Sequence, residues 1–265
     1  MHRNLQGVPE TLLIPLWARA AETREKKPII RDEKAVEMVG KIDYDFSKFK
    51  GSWLTQTGVA VRTEILDREV RKFIQKHPEA VIVNIGCGLD TRYLRVDNGR
   101  IRWYDLDLPE PMGIRKNFFQ ESGRYRMIGK SVFDYSWVRD VQAEGAPILL
   151  LAEGVFMYFT EQEMKELMEH LTKLFPGSHL LFEMLPRFLV KFGGKHETVR
   201  KTEARFQWGI RSGKDMEVLN PQIRFLEEWN FFDLHRKRWK WMGWLALIPA
   251  FKNNFNDRIV HLVFL

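Results

Sequence analysis

Five short apolar runs recur through the middle of the chain and constrain its fold more than any other feature. They predict β-strands at residues 80–85, 101–107, 125–130, 147–153 and 178–184. The run PILLLAE is apolar enough for a strand that is buried on both faces. Residues 160–176 carry a helical apolar stripe, begin with the capping-box pair Thr160 and Glu163, and end at Pro176. Strands that alternate with helices favour a parallel, doubly wound α/β sheet.

The segments on either side of these runs differ in pattern. Before them the chain is mostly helical in pattern, and after them an irregular stretch precedes two strand-like runs. We therefore expect one domain with a helical N-terminal lid, a core, a substrate-side insertion and a C-terminal hairpin, at residues 1–76, 77–185, 186–224 and 225–265. The hairpin strands are predicted at 231–239 and 258–265, with no helix between them.

Composition excludes several classes of protein. The net charge is +7, but basic and acidic residues are mixed along the chain, so no nucleic-acid partner is expected. The longest apolar run, residues 241–251, is shorter than the roughly 20 residues of a membrane span. Cys87 is the sole cysteine, so neither a disulfide nor a metal site is predicted. Since the N-terminus has no signal-peptide pattern, the expected location is the cytoplasm.

Basic side chains crowd the predicted insertion, at Lys191, Lys195, His196, Arg200 and Lys201. They could attract an acidic substrate, but charges at this density are more typical of a solvated helix face.

The stretch VIVNIGCGLDTR, residues 81–92, is typical of a strand that runs into a tight glycine turn. In an open parallel sheet, ligands bind beyond the carboxyl ends of the strands, where Gly86 and Gly88 are expected to lie. The third glycine of a dinucleotide fingerprint is missing, and Asp90 follows instead. Both observations disfavour a pyrophosphate ligand.

Acidic residues end the second and fourth predicted strands. Asp107 lies 19 residues after Gly88, with Asp105 two residues before it, and an acid at this spacing suits ribose hydroxyls. A turn residue before Pro109 is the alternative. Glu153 follows a run of aliphatic residues, so its carboxylate needs a cationic partner or a capping role.

Taken together, five motifs resemble the leucine carboxyl methyltransferase family, in particular its bacterial branch. They are ARAAETREKKPIIRDEKA, VRTEILD, VNIGCGLDTR, YDLDLPE and LAEGVFMYF, at residues 18–35, 61–67, 83–92, 104–110 and 151–159. The resemblance implies a class I methyltransferase fold, with a Rossmann-like seven-stranded sheet whose last strand is antiparallel. It also implies S-adenosylmethionine as the cofactor, which explains the missing third glycine.

The resemblance assigns roles to the charged residues. Arg62 matches the arginine that pairs with the methionine carboxylate, and Arg19 matches a basic residue with a similar role. Asp107, with Asp105 beside it, matches the ribose-binding acid. Glu153 matches the acid near the methionine amine.

The remaining matched positions concern the turn and the adenine. Gly86 and Gly88 form the turn. Ser131 and Val132 stand where relatives often have Asp-Leu at the adenine, so these two are the expected adenine contacts. Asn84 stands where many class I enzymes carry an acid.

The resemblance also implies the chemistry. We expect an O-methyltransferase that acts on a carboxyl or hydroxyl group of a small molecule, such as a polyketide-like acid. A carboxyl group has a pKa of about 4 and is ionised at neutral pH, whereas a phenol, with a pKa of about 10, gains from a general base. Tyr158 is the candidate catalytic group, and packing at a helix start is its alternative role.

Other functions stay open on the sequence alone. The acceptor could be the C-terminal carboxylate of a protein, which an open groove would favour over a deep pocket. The chain could also bind S-adenosylmethionine without catalysis, or be a nicotinamide oxidoreductase. In the methyltransferase case, Arg62→Ala and Asp107→Ala should each weaken S-adenosylhomocysteine binding and leave the fold intact.

Overall fold

A seven-stranded sheet forms the centre of the computed structural model, which describes residues 3–4, 10–192 and 205–265. The strands are β1 (Val81–Ile85), β2 (Arg102–Asp107), β3 (Tyr125–Gly129), β4 (Ile148–Ala152), β5 (His179–Met184), β6 (Ile223–Asn230) and β7 (Arg258–Phe264). Their order is β3-β2-β1-β4-β5-β7-β6. Strands β1 to β5 pair in parallel, and β7 is antiparallel to both of its neighbours. The expected class I sheet with an antiparallel last strand is therefore confirmed.

Helices cover both faces of the sheet. They are α1 (Glu10–Thr23), α2 (Glu33–Lys41), α3 (Trp53–Lys76), α4 (Arg92–Val96), α5 (Pro109–Arg115), α6 (Glu161–Leu174), α7 (Arg187–Phe192), α8 (Asp215–Leu219), α9 (Trp241–Leu245) and α10 (Pro249–Asn254). A two-residue strand, Arg3–Asn4, pairs in parallel with Ile42–Asp43.

The alternation of side chains along β1 divides the core into two layers. Ile82 points to the layer that contains Ile65 and Val70 of α3. Val83 points to the opposite layer, with Met164 of α6. The capping box of α6 is confirmed, since Thr160 Oγ1 accepts the Glu163 N–H and Glu163 accepts the Thr160 N–H.

The prediction of the sixth strand was wrong. The strand lies at Ile223–Asn230, and residues 231–239 instead form the 3₁₀ turns Phe231–Asp233 and Arg236–Trp239. β6 is an edge strand that carries exposed charges and a bulge between Phe225 and Glu227, so its sequence lacks a clear apolar alternation. Contrary to expectation, α9 and α10 separate β6 from β7.

The predicted insertion begins with α7, and its last two residues belong to β6. Lys191 is exposed on α7. The other four basic residues of its predicted cluster, Lys195, His196, Arg200 and Lys201, lie outside the described residues.

In the described ranges, no helix is both long and apolar enough to span a bilayer. Within the same ranges, no three His, Cys, Asp or Glu side chains are grouped so that they could hold a metal ion. The cytoplasmic location stays a prediction.

Candidate active site

A cavity of about 530 Å³ lies at the carboxyl ends of the central strands, beneath α1 and the first turns of α3. Nine of the ten candidate residues line it, namely Arg19, Arg62, Gly86, Gly88, Asp107, Ser131, Val132, Glu153 and Tyr158. Asp105 does not. The topology thus gathers side chains that are up to 139 residues apart in the sequence, from Arg19 to Tyr158.

The turn after β1 requires glycine at two positions. Gly86 has a φ of +63°, and a Cβ there would lie 2.1 Å from Val155 Cγ2. Gly88 has a φ of +46°, and its Cβ would lie 2.8 Å from Leu12 Cδ2. A side chain at either position would therefore displace a wall of the cavity. Cys87 between them is buried, and burial and then Asp105 raise the pKa of its thiol, which stays neutral.

Asp107 fastens the end of β2 to this turn. Its Oδ2 accepts the Gly88 N–H at 2.7 Å, and its Oδ1 accepts the Leu108 N–H at 2.7 Å. Burial raises the pKa of the Asp107 carboxyl, although both of these hydrogen bonds lower it. The carboxylate lines the cavity and can accept further hydrogen bonds from ligand hydroxyl groups.

Asp105 was expected to lie beside Asp107 in the ribose site, but it does not line the cavity. Asp105 is fully buried, and its oxygens are taken by four side chains, Arg115 (2.5 Å), Tyr125 (2.7 Å), Trp103 (2.9 Å) and Asn84 (3.1 Å). A ribose role for Asp105 is not compatible with this position, whereas Asp107 lines the cavity and its ribose role stays a prediction. The period of two puts both acids on one face, but Asp105 lies further inside the sheet.

The contacts of Asn84 explain why the end of β1 carries an amide and not an acid. Its Nδ2 donates to Asp90 at 3.2 Å and to Asp105 at 3.1 Å. A carboxylate at position 84 would instead face two other carboxylates.

Arg62 lies between two buried carboxylates. Its Nη1 contacts both oxygens of Glu183, at 3.0 and 2.8 Å, and its Nη2 lies 2.7 Å from Glu153. Burial lowers the pKa of Arg62, but Glu153 and Glu183 outweigh it and raise the pKa above its usual value. Its Nε is buried and has no hydrogen-bond partner among the described residues. An orphaned donor of this kind suits a ligand carboxylate.

Glu153 is held by two arginines. Besides Arg62, Arg92 reaches its Oε2 at 2.5 Å. Burial raises the pKa of Glu153, but Arg62 and then Arg92 outweigh it and hold the pKa below its usual value. Glu153 is therefore ionised at the cavity wall, where it can accept from a ligand ammonium group.

A buried ion network supports this wall from behind. Arg92 also pairs with Asp67 of α3 at 2.8 Å, and Arg95 bridges Asp67 at 2.6 Å to Asp32 at 3.1 Å. Asp32 is the N-cap of α2, where it accepts the Ala35 N–H. The network connects three of the N-terminal helical elements to Glu153.

Arg19 belongs to the same network. Its Nε pairs with Asp32 at 2.9 Å and its Nη2 donates to the Leu89 carbonyl at 2.8 Å. Arg19 thus lines the cavity and ties α1 to the glycine turn, and its contact with a methionine carboxylate stays a prediction.

The far end of the cavity is an apolar slot. Leu108 and Val132 line it, and Phe133 packs edge-on against Phe159 with ring centroids 4.9 Å apart. Ser131 Oγ accepts the Phe133 N–H at 3.2 Å. Val132, Phe133 and Phe159 could offer an aromatic base a planar, apolar surface.

Two carboxyl groups that sequence reasoning missed lie at the opposite end. Glu183 on β5 pairs in register with Ile259, so Asp257, two residues earlier, is its diagonal neighbour on the same face. Burial, and then the mutual repulsion of these acids, raises the pKa of Asp257 well above its usual value, and burial also raises that of Glu183. Asp257 Oδ1 is buried without a partner among the described residues. Only the β5–β7 register, which is non-local, reveals this pair.

Tyr158 lines the same end of the cavity. Burial and then Glu183 raise the pKa of its phenol to about 12, against a smaller lowering by Arg62. Its ring packs on Phe206 at 5.6 Å between centroids. The hydroxyl is therefore protonated at neutral pH and is not a ready base.

These groups fit S-adenosylmethionine in chemistry and in placement. Two glycines leave room for a close approach, Asp107 suits hydroxyls, the orphaned Arg62 Nε suits a carboxylate, and ionised Glu153 suits an ammonium. The fold and this cavity define a class I S-adenosylmethionine-dependent methyltransferase. The chain belongs to the leucine carboxyl methyltransferase family, whose family model matches residues 13–172. The resemblance inferred from the motifs is confirmed. The alternative of a nicotinamide oxidoreductase is therefore wrong.

Two curated relatives match nearly the whole chain. The tetracenomycin polyketide synthesis O-methyltransferase TcmP of Streptomyces glaucescens is 34% identical over 268 residues, which cover 98% of each chain. The S-adenosyl-L-methionine-dependent methyltransferase dpfgK of Gibberella zeae is 29% identical, over 92% of this chain and 88% of its own. Among solved structures, a DUF574 family protein from Streptomyces avermitilis superposes with a TM-score of 0.62 at 12% identity, over 96% and 97% of the two chains.

Proposed function

We propose that this chain methylates a carboxyl or hydroxyl oxygen of a small, largely apolar molecule. The observation that carries the proposal is one cavity of about 530 Å³ that extends from the glycine turn to an apolar chamber. A volume of this size is typical of sites that bury a small ligand. The printed name of the relative TcmP favours an acceptor of the polyketide kind.

The cofactor would bind along the ends of β1, β2 and β4. Asp107 would accept from the ribose hydroxyls, while Ser131 and Val132 would border the adenine. Arg62 would donate its Nε–H to the methionine carboxylate, and Glu153 would accept from the ammonium group. When bound, S-adenosylmethionine supplies a methyl group on a sulfonium. The chain itself supplies alignment, which can lower a barrier by about 7–11 kcal/mol.

The acceptor chamber combines apolar walls with a few polar groups. Its apolar lining comes from Leu12, Ile14, Pro15, Val59, Met157, Leu185 and Phe206. Such walls exclude water and suit a flat hydrophobic acceptor. They offer little to the extended backbone of a protein C-terminus, which is the less favoured acceptor.

Glu183, Asp257 and Tyr158 are three of the polar groups at this end of the cavity. Burial raises the pKa of both Glu183 and Asp257, and the charge of Glu183 raises that of Asp257 further, so this pair holds a proton more readily than isolated carboxyl groups do. For a carboxylate acceptor, protonated Asp257 can donate a hydrogen bond to it. For a hydroxyl acceptor, the pair can hold the proton that the hydroxyl loses.

A product assay tests the proposal. Purified protein and S-adenosylmethionine would be incubated with aromatic phenols and acids, and separately with peptides that end in leucine. We expect S-adenosylhomocysteine and a methylated small molecule. A methyl ester is lost in mild base and an ether is not, which separates carboxyl from hydroxyl chemistry. Methylation of the peptides alone would establish the protein acceptor, and S-adenosylhomocysteine binding without any turnover would favour a non-catalytic protein.

Tyr158→Phe is the matched variant for the catalytic candidate. If the hydroxyl contacts the acceptor, kcat should fall while S-adenosylhomocysteine affinity stays unchanged. An unchanged kcat would mean that the Tyr158 hydroxyl has no catalytic role and that the residue acts through its packing contact with Phe206.

A further inference from the structure

Large apolar side chains are exposed on one surface between β6 and β7. Trp244 is 71% exposed, Trp241 62% and Leu247 62%. We define the tryptophan face by its six members, Trp241, Trp244, Leu245, Leu247, Ile248 and Phe255. All lie on or beside the two short helices α9 and α10.

The fold needs few of these side chains for its own packing, since Phe255 stacks on Phe251 and the others are exposed. The inner sides of the same helices already contact the core, through Met242, Ala246 and Phe251. Trp239, which precedes α9, is buried and donates its Nε1–H to the Leu234 carbonyl at 2.9 Å. A group of large apolar side chains exposed together is a mark of an interaction site.

Positive charge predominates beside the tryptophan face, although Arg238 pairs with Glu22 and Lys252 pairs with Asp233. Residues 234–256 include five Lys and Arg residues and no Asp or Glu. Arg236, Lys237 and Lys240 are exposed beside the face. This combination of tryptophans, aliphatic side chains and an excess of exposed cations is typical of segments that lie in the interface of an anionic bilayer.

The face is held in a fixed conformation. Arg236 donates its Nε–H to the Gly243 carbonyl at 3.0 Å, and its guanidinium lies 4.7 Å from the Trp244 ring centroid. A Cβ at Gly243 would lie 2.4 Å from the Arg236 carbonyl oxygen, so α9 packs closely on the preceding turn. Lys240 lies over the Trp53 ring of α3 at 4.2 Å. A rigid surface loses little conformational entropy on docking.

The tryptophan face adjoins the acceptor end of the cavity. Phe255 lies two residues before Asp257, which lines the cavity. The ring centroids of Phe255 and of Phe188 in α7 lie 4.8 Å apart. Helix α7 begins at Arg187, two residues after the cavity residue Leu185.

We propose that the tryptophan face docks on an anionic phospholipid surface. A second copy of this chain would bring the exposed Arg236, Lys237 and Lys240 of both copies against one another, which makes that pairing unfavourable. Phospholipid headgroups supply the missing negative charge, and the acyl boundary accepts the indole and aliphatic side chains.

Vesicle co-sedimentation tests this proposal. With vesicles that contain about one-third phosphatidylserine, we expect the full chain to bind, and binding to weaken at least about tenfold on phosphatidylcholine alone or in about 0.5 M salt. Trp241→Ser with Trp244→Ser should lower the affinity for anionic vesicles by at least about tenfold. The matched control, Leu94→Ser with Val218→Ser, removes two exposed apolar side chains elsewhere and should bind like the unchanged chain.

Charge and folding are controlled separately. Lys237→Glu should weaken vesicle binding more than Lys116→Glu, an exposed lysine at the end of α5. Unfolding temperature and S-adenosylhomocysteine affinity should match in all variants. No vesicle binding by the unchanged chain, or equal binding by the double-tryptophan variant, overturns the proposal. So does a dimer in solution that the same variant converts to a monomer without any vesicle binding.

Discussion

Asp107 accepts the backbone N–H of Gly88 at 2.7 Å, and this contact joins the end of β2 to the turn after β1. The two residues lie 19 positions apart, and the parallel pairing of β1 and β2 brings them together. One carboxylate therefore shapes the turn and faces the cavity at once.

Asp107→Ala should weaken S-adenosylhomocysteine binding by about 10- to 100-fold, because a charged acceptor is lost both from the turn and from the ligand. Isothermal titration calorimetry measures the change. Glu110→Gln removes an exposed acid three residues away and should leave the affinity unchanged. Equal affinities of the two variants would contradict the role of Asp107.

Gly86→Ala should destabilise the protein more than Gly99→Ala. Both glycines have a positive φ, +63° and +80°, but a Cβ at Gly99 meets no atom within 4 Å, whereas one at Gly86 meets Val155 at 2.1 Å. Backbone strain alone costs about 1–2 kcal/mol of unfolding free energy. Denaturant unfolding should reveal a larger loss for Gly86→Ala, together with weaker S-adenosylhomocysteine binding. Similar losses at both positions would mean that Val155 moves aside easily.

Arg62→Ala should unfold more easily than the sequence alone suggests. Removal of the guanidinium leaves Glu153 and Glu183 buried together without it, and a broken buried ion pair costs about 3–5 kcal/mol. The expectation from the sequence was that Arg62→Ala leaves the fold intact. The structure instead predicts a lower free energy of unfolding for this variant. Arg71→Ala, on the same helix and exposed, is the control for denaturant unfolding.

A second substitution separates folding from binding at Arg62. Glu183→Gln in the Arg62→Ala background removes one unpaired charge and should restore part of the stability. S-adenosylhomocysteine affinity should stay low in that double variant. Its return to the unchanged level would show that Arg62 acts only on the fold.

Asp257→Asn should stabilise the protein at neutral pH and have little effect at pH values below about 4. The folded pKa of Asp257 is raised, so the folded state holds a proton that the unfolded state has lost. Stability from this group is present below the unfolded pKa and falls as pH rises toward the folded pKa. Unfolding measured from acid to neutral pH gives the difference between variant and unchanged chain, which should grow with pH. A constant difference would contradict a raised pKa.

Local patterns were sufficient to predict the parallel strands, α6 and the glycine turn. Gly86, Gly88 and Asp107 follow strands whose apolar runs stand out, so strand ends could be located from the sequence. The position of β6 could not be found this way, because an edge strand with outward charges and a bulge has no regular alternation.

The non-local parts of the site were also beyond sequence patterns. Asp105 and Asp107 look equivalent in YDLDLPE, and they are distinguished by the four side chains that contact Asp105, among them Arg115 of α5. Glu183 and Asp257 become neighbours only through the antiparallel register of β5 and β7. Contacts between separate elements of the fold decided both cases.

The ion network behind Glu153 limits how the N-terminal helices can be exchanged. Arg19, Asp32 and Asp67 come from the helical segments, and Arg92 and Arg95 come from the core. A chimera that grafts the first 76 residues of a relative onto this core would bury unmatched charges unless the graft kept Arg19, Asp32 and Asp67. Substrate engineering by segment exchange should therefore leave these positions untouched and vary the chamber walls at Leu12, Ile14 and Val59.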